Sequence, residues 1–215
     1  MTSLIPAALH TDIDLIVAIK PAGLLSVPGR GADKQDCLSA RLAAQYGDIH
    51  IVHRLDQATS GLMVFARHAA ALKSLHRQFA ERTVDKAYEA IVFGKPHLAG
   101  FSIDLPLMAD WPHRPKQKVA QGEELAHGKP SMTHVKVLSF NAADCTSRLR
   151  LVPITGRTHQ LRVHLSAIGH GIVGDQLYTD TDITRAPRLM LHACHLALTH
   201  PTTGERMTFE SPASF

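Results

Sequence analysis

The stretch His53-Arg54-Leu55-Asp56-Gln57-Ala58-Thr59-Ser60-Gly61-Leu62-Met63-Val64-Phe65 sets an arginine and an aspartate two positions apart, directly ahead of an apolar run. Charges so close to a core must be solvated, paired or functional, because an isolated buried charge is costly. A carboxylate in such a place offers nucleophilic attack or proton transfer. The plainer reading of Asp56 is a turn aspartate that caps Thr59-Ser60-Gly61. If the segment is extended, Arg54 points to the opposite face from Leu55. A glycosidase would need two carboxylates flanking the scissile bond, and this motif offers one. The segment Trp111-Pro112-His113-Arg114-Pro115-Lys116-Gln117-Lys118 gathers three cations, and Arg77 and Arg82 add two more; phosphate contact or a solvated face are the two readings of both groups. Trp111 either stacks on a base or fixes its loop to the core, and the second is the expectation.

Metal chemistry finds little support. His159 and His164 lie five positions apart, about 500° around a helix, so their side chains diverge by roughly 140°. His192, Cys194 and His195 form no cluster at usual ligand spacing. Packed or rim histidines, and no metal, are the expectation.

Short elements must hold these residues. Leu15 to Ile19 reads as a buried strand stopped by Pro21 and Gly23, and Leu38, Leu42 and Ala43 as a helix ended by Gly47. Leu62 to Ala66 reads as a strand, and Ala69 to Arg82 as a helix with Leu72, Leu75 and Phe79 on one face. Tyr88 to Phe93 is a strand. Five prolines between residues 94 and 131 exclude long regular elements. Alternation marks strands at Thr133–Phe140 and Thr146–Val152. A helix follows over Thr158–Ile168, with Leu161, Leu165 and Ile168 on one face and Gly169 as its stop. Leu189–Leu198 and Met207–Glu210 close the chain as strands. Helices and strands mix without strict alternation, and the strands pair antiparallel, which indicates α+β.

The chain has 215 residues, 45% hydrophobic, and a net charge of +4 with its fifteen histidines neutral. That suits a substantial core and is compatible with a polyanionic partner. Its three cysteines are far apart, as expected of reduced thiols in a cytoplasmic protein. Asp12 and Asp14 precede a short apolar run, so the N-terminus is read as neither a signal peptide nor a membrane span.

The ordered set His53, Arg54, Leu55, Asp56, Thr59, Ser60, Gly61, Leu62 resembles the catalytic motif of the RluA-type pseudouridine synthases. Four further segments resemble that family in matching order: KPAGLLSVPG (20–29), KAYEAIVFG (86–94), PITGRTHQLRVHLSAIGHGIVGD (153–175) and RLMLHACHL (188–196). The stretches DLPLMADWPHRPKQKV (104–119) and GKPSMTHV (128–135) resemble the short members that modify a 23S ribosomal RNA hairpin and a tRNA anticodon stem-loop. The resemblance implies a pseudouridine synthase fold, a bifurcated and mostly antiparallel mixed sheet with flanking helices and a central RNA-binding cleft. It implies one catalytic domain over residues 1–215 without an extra N-terminal RNA-binding domain. The family's reaction is an internal rearrangement that needs no cofactor. Asp56 would act at the sugar, as a nucleophile at C1′ or as a base. Arg157 would hold it ionised, Tyr88 would lie against the uracil, Leu191 would wall the base, and Arg54 would fill the place of a flipped base. Arg114, Lys116 and Lys118 would meet phosphate. The bland alternatives are a solvated or phosphate-bound Arg157, a strand-edge Tyr88, core packing for Leu191 and a structural or phosphate-contact role for Arg54. The expected partner is RNA, with no membrane, no obligate protein partner and a monomeric state. A non-catalytic RNA-binding module on the same fold is the main rival, and the presence of Asp56, Tyr88 and Arg157 together argues against it.

Overall fold

The computed structural model describes residues 8–179 and 186–215. Residues 1–7, part of the N-terminal stretch discussed above, lie outside the described residues. The chain divides into two compact units, one built from the chain up to Lys86 together with His192–Ser214, the other from Ala87–Leu191 with Phe215.

In the first unit, strand β1 (Ala8–Thr11) pairs antiparallel with β2 (Leu15–Lys20), and β2 pairs antiparallel with β4 (Ser60–Ala66). The short β3 (His50–Ile51) also lies on β4. Strand β11 (Leu191–Thr199) runs parallel to β4 and carries β12 (Arg206–Glu210) on its far side. Both β2 and β4 are near-continuous apolar runs because both faces are covered. One face packs Leu15, Val17, Leu62 and Val64 against Ala71 and Leu75 of helix α2 (Ala69–Ala80), with Leu196 and Leu198 in the same cluster. Helix α2 starts where His68 Nδ1 accepts the Ala71 N–H at 3.3 Å. It stops two residues short of the Arg82 expected from periodicity, because Arg82 turns left-handed at φ 59° and Thr83 N–H returns to the Gln78 carbonyl. Helix α1 (Leu38–Tyr46) is capped by Cys37 Sγ and ends at Gly47, as expected.

The parallel pairing of β4 with β11 explains the glycine of the opening motif. Gly61 sits opposite Ala193 at φ 119°, and a Cβ there would lie 2.3 Å from the Ala193 carbonyl oxygen and 2.4 Å from its nitrogen. Next to it, Ser60 Oγ donates to His192 Nδ1 at 2.8 Å, while His192 Nε2 donates to the Ser211 carbonyl at 3.0 Å. His192 is therefore a packed, fully engaged core histidine.

In the second unit, β5 (Asp85–Phe93), β10 (Thr146–Pro153), β9 (Met132–Asn141) and β6 (Gly100–Asp104) form an antiparallel sheet in that order. Strand β10 alternates as predicted, burying Leu149 and Leu151. The proline-broken region yields only short elements, including the hairpin of β7 (Leu107–Ala109) and β8 (Gln117–Val119). Helix α3 covers Gln160–Ala167, shorter than the predicted Thr158–Ile168, because His159 takes a left-handed backbone at φ 54°. It also departs from the expected single apolar face. Gln160, Arg162 and His164 are buried along with the leucines, and each is fully engaged. Gln160 Nε2 donates to the Met132 carbonyl, Arg162 forms a two-pronged pair with Asp175 at 2.8 and 2.7 Å, and His164 Nε2 donates to the Leu105 carbonyl. Burial pushes the His164 ring down toward its neutral form.

Gly61→Ala tests the strand pairing. The added Cβ meets backbone that cannot swing aside, so the cost should be on the order of 3 kcal/mol or more. Gly23→Ala, at φ 85° but with open space around the new Cβ, should cost about 1 kcal/mol. Urea unfolding followed by circular dichroism ranks the two; equal stabilities would refute the close approach.

Candidate active site

Asp56 lies between β3 and β4 and is half-buried. The chain around it is held by the KPAGLLSVPG segment. Ser26 Oγ donates to the Leu55 carbonyl at 2.7 Å and accepts the Leu55 N–H at 3.1 Å. Gly23 N–H donates to the Gln57 carbonyl, and Gln57 Nε2 returns a bond to the Gly23 carbonyl. Lys20, at the end of β2, is completely buried, and its ammonium donates to the carbonyls of Pro21, Leu24 and Gln57 at 2.9, 2.7 and 2.9 Å. Three carbonyl oxygens satisfy all three ammonium donors, which is what makes such burial tolerable. Burial lowers the Lys20 ammonium to about 8, and the charge of Asp56 partly opposes that shift. A cation thus stands behind the carboxylate-bearing turn. Sequence reading missed Lys20. The only signal was its place in a family segment.

The neighbours of Asp56 alternate as the extended segment requires. Arg54 is exposed, Leu55 is buried, and Leu62–Phe65 enter the core. His53 is structural. Its Nε2 accepts the Val64 N–H at 3.1 Å and its ring stacks on Phe79 with centroids 4.8 Å apart. Burial first, then the nearby Lys86 charge, push its imidazole down to about 3, so it is neutral at any working pH.

The remaining sequence candidates belong to the second unit. Tyr88 is half-buried on β5, opposite Leu151 of β10. Arg157 is exposed in the loop before α3; its backbone N–H donates to Gln160 Oε1 at 3.0 Å and its Nε to the Pro130 carbonyl at 3.3 Å. Leu191 is 3% exposed where β11 begins. Arg114 lies at the tip of the β7–β8 hairpin, Lys116 is half-exposed beside it, and Lys118 is ion-paired with Glu124. Trp111 contradicts the expectation that it fixes the loop to the core. It is 66% exposed, with the Arg114 guanidinium 3.5 Å from its ring centroid. Two prolines and the Asp110–His113 contact already shape this loop, so the indole is not needed to hold it.

Asp12, Asp14 and His200 bring their side-chain ligand atoms within 4.8 Å of one another, a grouping that sequence reading missed because 186 positions separate Asp14 from His200. The hydrogen bonds make it a structural network. His200 Nδ1 accepts the backbone N–H groups of Thr202 and Thr203, so its proton sits on Nε2 and faces the carboxylates as a donor. Burial opposes ionisation of Asp12, but bonds from His10, Leu15 and Asp14 outweigh it and hold the carboxyl down at about 2.

A family model described as RNA pseudouridylate synthase matches residues 14–167. The chain belongs to the RNA pseudouridylate synthase family. It is 50% identical to the dual-specificity RNA pseudouridine synthase RluA of Salmonella typhi, over 96% of this chain and 93% of that one. It is 49% identical to the protein of the same name from Escherichia coli K12, at the same coverage. The human RNA pseudouridylate synthase domain-containing protein 1 superposes with a TM-score of 0.80 at 31% identity, over 96% of this chain and 83% of that one. The fold is thus the α+β pseudouridine synthase fold, and the protein is an RNA-modifying isomerase. Among the described residues no helix is long and apolar enough to cross a membrane.

In this pseudouridine synthase the buried Lys20 has a pH signature. Below about pH 8 the lysine is charged in both folded and unfolded chains, and its burial cost is fully present. Between about 8 and 10.5 the unfolded chain still binds a proton that the folded chain has released, so stability attributable to Lys20 rises with pH. The unfolding free energies of the wild type and Lys20→Met, measured at pH 7.5 and pH 9.5, should therefore shift in favour of the wild type at the higher pH. An unchanged difference would mean that Lys20 titrates like an ordinary lysine.

Proposed function

We propose that the enzyme isomerises uridines in a 23S ribosomal RNA hairpin and a tRNA anticodon stem-loop, with Asp56 as the group that acts at the sugar. The reaction breaks the bond from C1′ to uracil N1, turns the base and joins C5 to C1′; N1 gains a proton and C5 loses one. Asp56 either attacks C1′ or takes a proton from the sugar. Arg157 is its counter-charge, Tyr88 lies against the uracil and takes the C5 proton, Leu191 walls the base, and Arg54 fills the gap left by the flipped nucleotide. Arg114 and Lys116 contact phosphate, and Lys118 joins them when RNA displaces Glu124. The enzyme works as a single-domain cytoplasmic monomer.

The observation that carries this reading is the fixed Asp56 segment. Lys20 and Ser26 hold the backbone of Leu55 and Gln57 on either side of Asp56, so the chain that carries the carboxylate is fixed at both flanks. Positioning of that kind is what attack or proton transfer demands. The choice of RNAs rests on the segments at 104–119 and 128–135 and on the similarity to relatives named as dual-specificity enzymes.

Asp56→Asn keeps the size and removes the charge. It should fold and bind RNA while releasing almost no tritium from C5-labelled uridine, and activity within tenfold of wild type would contradict the assignment. Arg157→Ala should leave RNA affinity close to wild type and lower the single-turnover rate a hundredfold or more, on the order of 3 kcal/mol of transition-state stabilisation. Weakened binding with an intact rate would reassign Arg157 to docking.

The substrate pair is tested in cells. Pseudouridine mapping with and without the gene should show loss at one 23S ribosomal hairpin and in tRNA anticodon loops. Loss in only one RNA class would reduce the enzyme to a single specificity.

A further inference from the structure

The β7–β8 hairpin presents a flat aromatic surface that the catalytic roles above leave unused. Trp111 is 66% exposed, and the Arg114 guanidinium lies 3.5 Å from its ring centroid. Among the described residues no second ring or cation lies on the indole, and neither Arg114 nor Lys116 has a carboxylate partner. The loop that carries the pair is closed on itself. Asp110 N–H donates to the Lys116 carbonyl at 3.0 Å, His113 N–H to the Asp110 carbonyl at 3.1 Å, and Lys116 N–H to the His113 carbonyl at 2.9 Å. The foot of the loop is tied to the segment before α3, since the Tyr178 hydroxyl accepts the Gln117 N–H at 2.8 Å and bonds His159 Nδ1 at 2.6 Å. His159 stands two residues beyond Arg157. The indole is thus held open by a braced loop.

We propose that Trp111 and Arg114 form a stacking platform for one unpaired nucleobase of the substrate RNA, a base other than the uridine that reacts. This rests on the reading that structured RNA is the substrate. The base lies on the indole face opposite Arg114, and the guanidinium N–H groups meet the adjoining phosphate. The occupant follows from chemistry. A π-face attracts any base by stacking, which every nucleobase can supply, and the unpaired cations beside it favour a polyanion over a second copy of this basic chain. A platform of this kind selects RNAs that splay a loop base at a fixed reach from the modified uridine.

Trp111 is the one tryptophan in the chain, so its emission reports directly. Stem-loop RNA, added to the full-length enzyme while turnover of the same RNA is followed, should quench that emission with a midpoint near the KM. A series of stem-loops, each abasic at one loop position, should contain one member that is turned over but fails to quench. Trp111→Ala should raise KM roughly tenfold with kcat unchanged, and the ratio to wild type should persist as salt is raised, since stacking is not a counter-ion effect. Trp111→Phe should restore most of the affinity. Turnover without any quench, equal quenching by every abasic RNA, or a loss of kcat instead of KM would overturn the platform while leaving the activity intact. An emission change that follows protein concentration without RNA would assign the face to a second copy of the chain. If the wild type turns over no stem-loop, the substrate reading fails and the platform falls with it.

Discussion

The first unit depends on one ammonium group. Lys20 reaches back from the end of β2 and draws the carbonyls of Pro21, Leu24 and Gln57 onto a single point. Two segments more than thirty residues apart are thereby fixed to each other, and the turn that carries Asp56 is one of them. A neutral polar residue could satisfy at most part of this arrangement, since only an ammonium brings three donors and a charge that three carbonyl dipoles stabilise. The same cation offsets the carboxylate in front of it. Structural and chemical demands therefore fall on one side chain.

The second unit solves its own version of the problem with buried polar pairs. Helix α3 is short and rich in polar residues, yet it sits in the core because Gln160, Arg162 and His164 each find partners there. Gln160 Oε1 accepts from both Thr155 Oγ1 and the Arg157 N–H, so the helix start fixes the very loop that presents Arg157. Breaking a buried pair such as Arg162–Asp175 by removing one partner leaves a stranded charge and typically costs 3 to about 5 kcal/mol.

Legibility in the sequence followed periodicity. The apolar runs at 15–20 and 60–66 and the alternating β10 were readable because one residue pattern serves one exposure pattern. The four-residue β1 and two-residue β3 were not, since segments of that length carry no period. The buried run after Asp56 was legible because a charged head stood directly beside a core-like tail. Lys20 was not, because lysine is rarely buried and nothing local announces three converging carbonyls. Burial in α3 was underestimated for the same reason: Arg162 stands off the predicted leucine face, and nothing local announces Asp175, whereas His164 is packed as expected. Trp111 erred the other way, an aromatic read as interior that the structure leaves open.

The first unit is discontinuous in the chain, and the second is contained within it. Ser60 and His192, which hydrogen-bond across β4 and β11, are separated by 132 positions. A ribosome releasing this chain from its N-terminus delivers residues 87–190 before β11, the parallel neighbour of β4, emerges. Synthesis at roughly 5 to 20 residues per second leaves β4 without that neighbour for several seconds, a long wait against the microseconds of hairpin formation. The second unit, sequence-continuous apart from Phe215, has all its strands in hand first. Order of birth and order of folding therefore part company: the segment bearing Asp56 leaves the ribosome early and reaches its finished surroundings late.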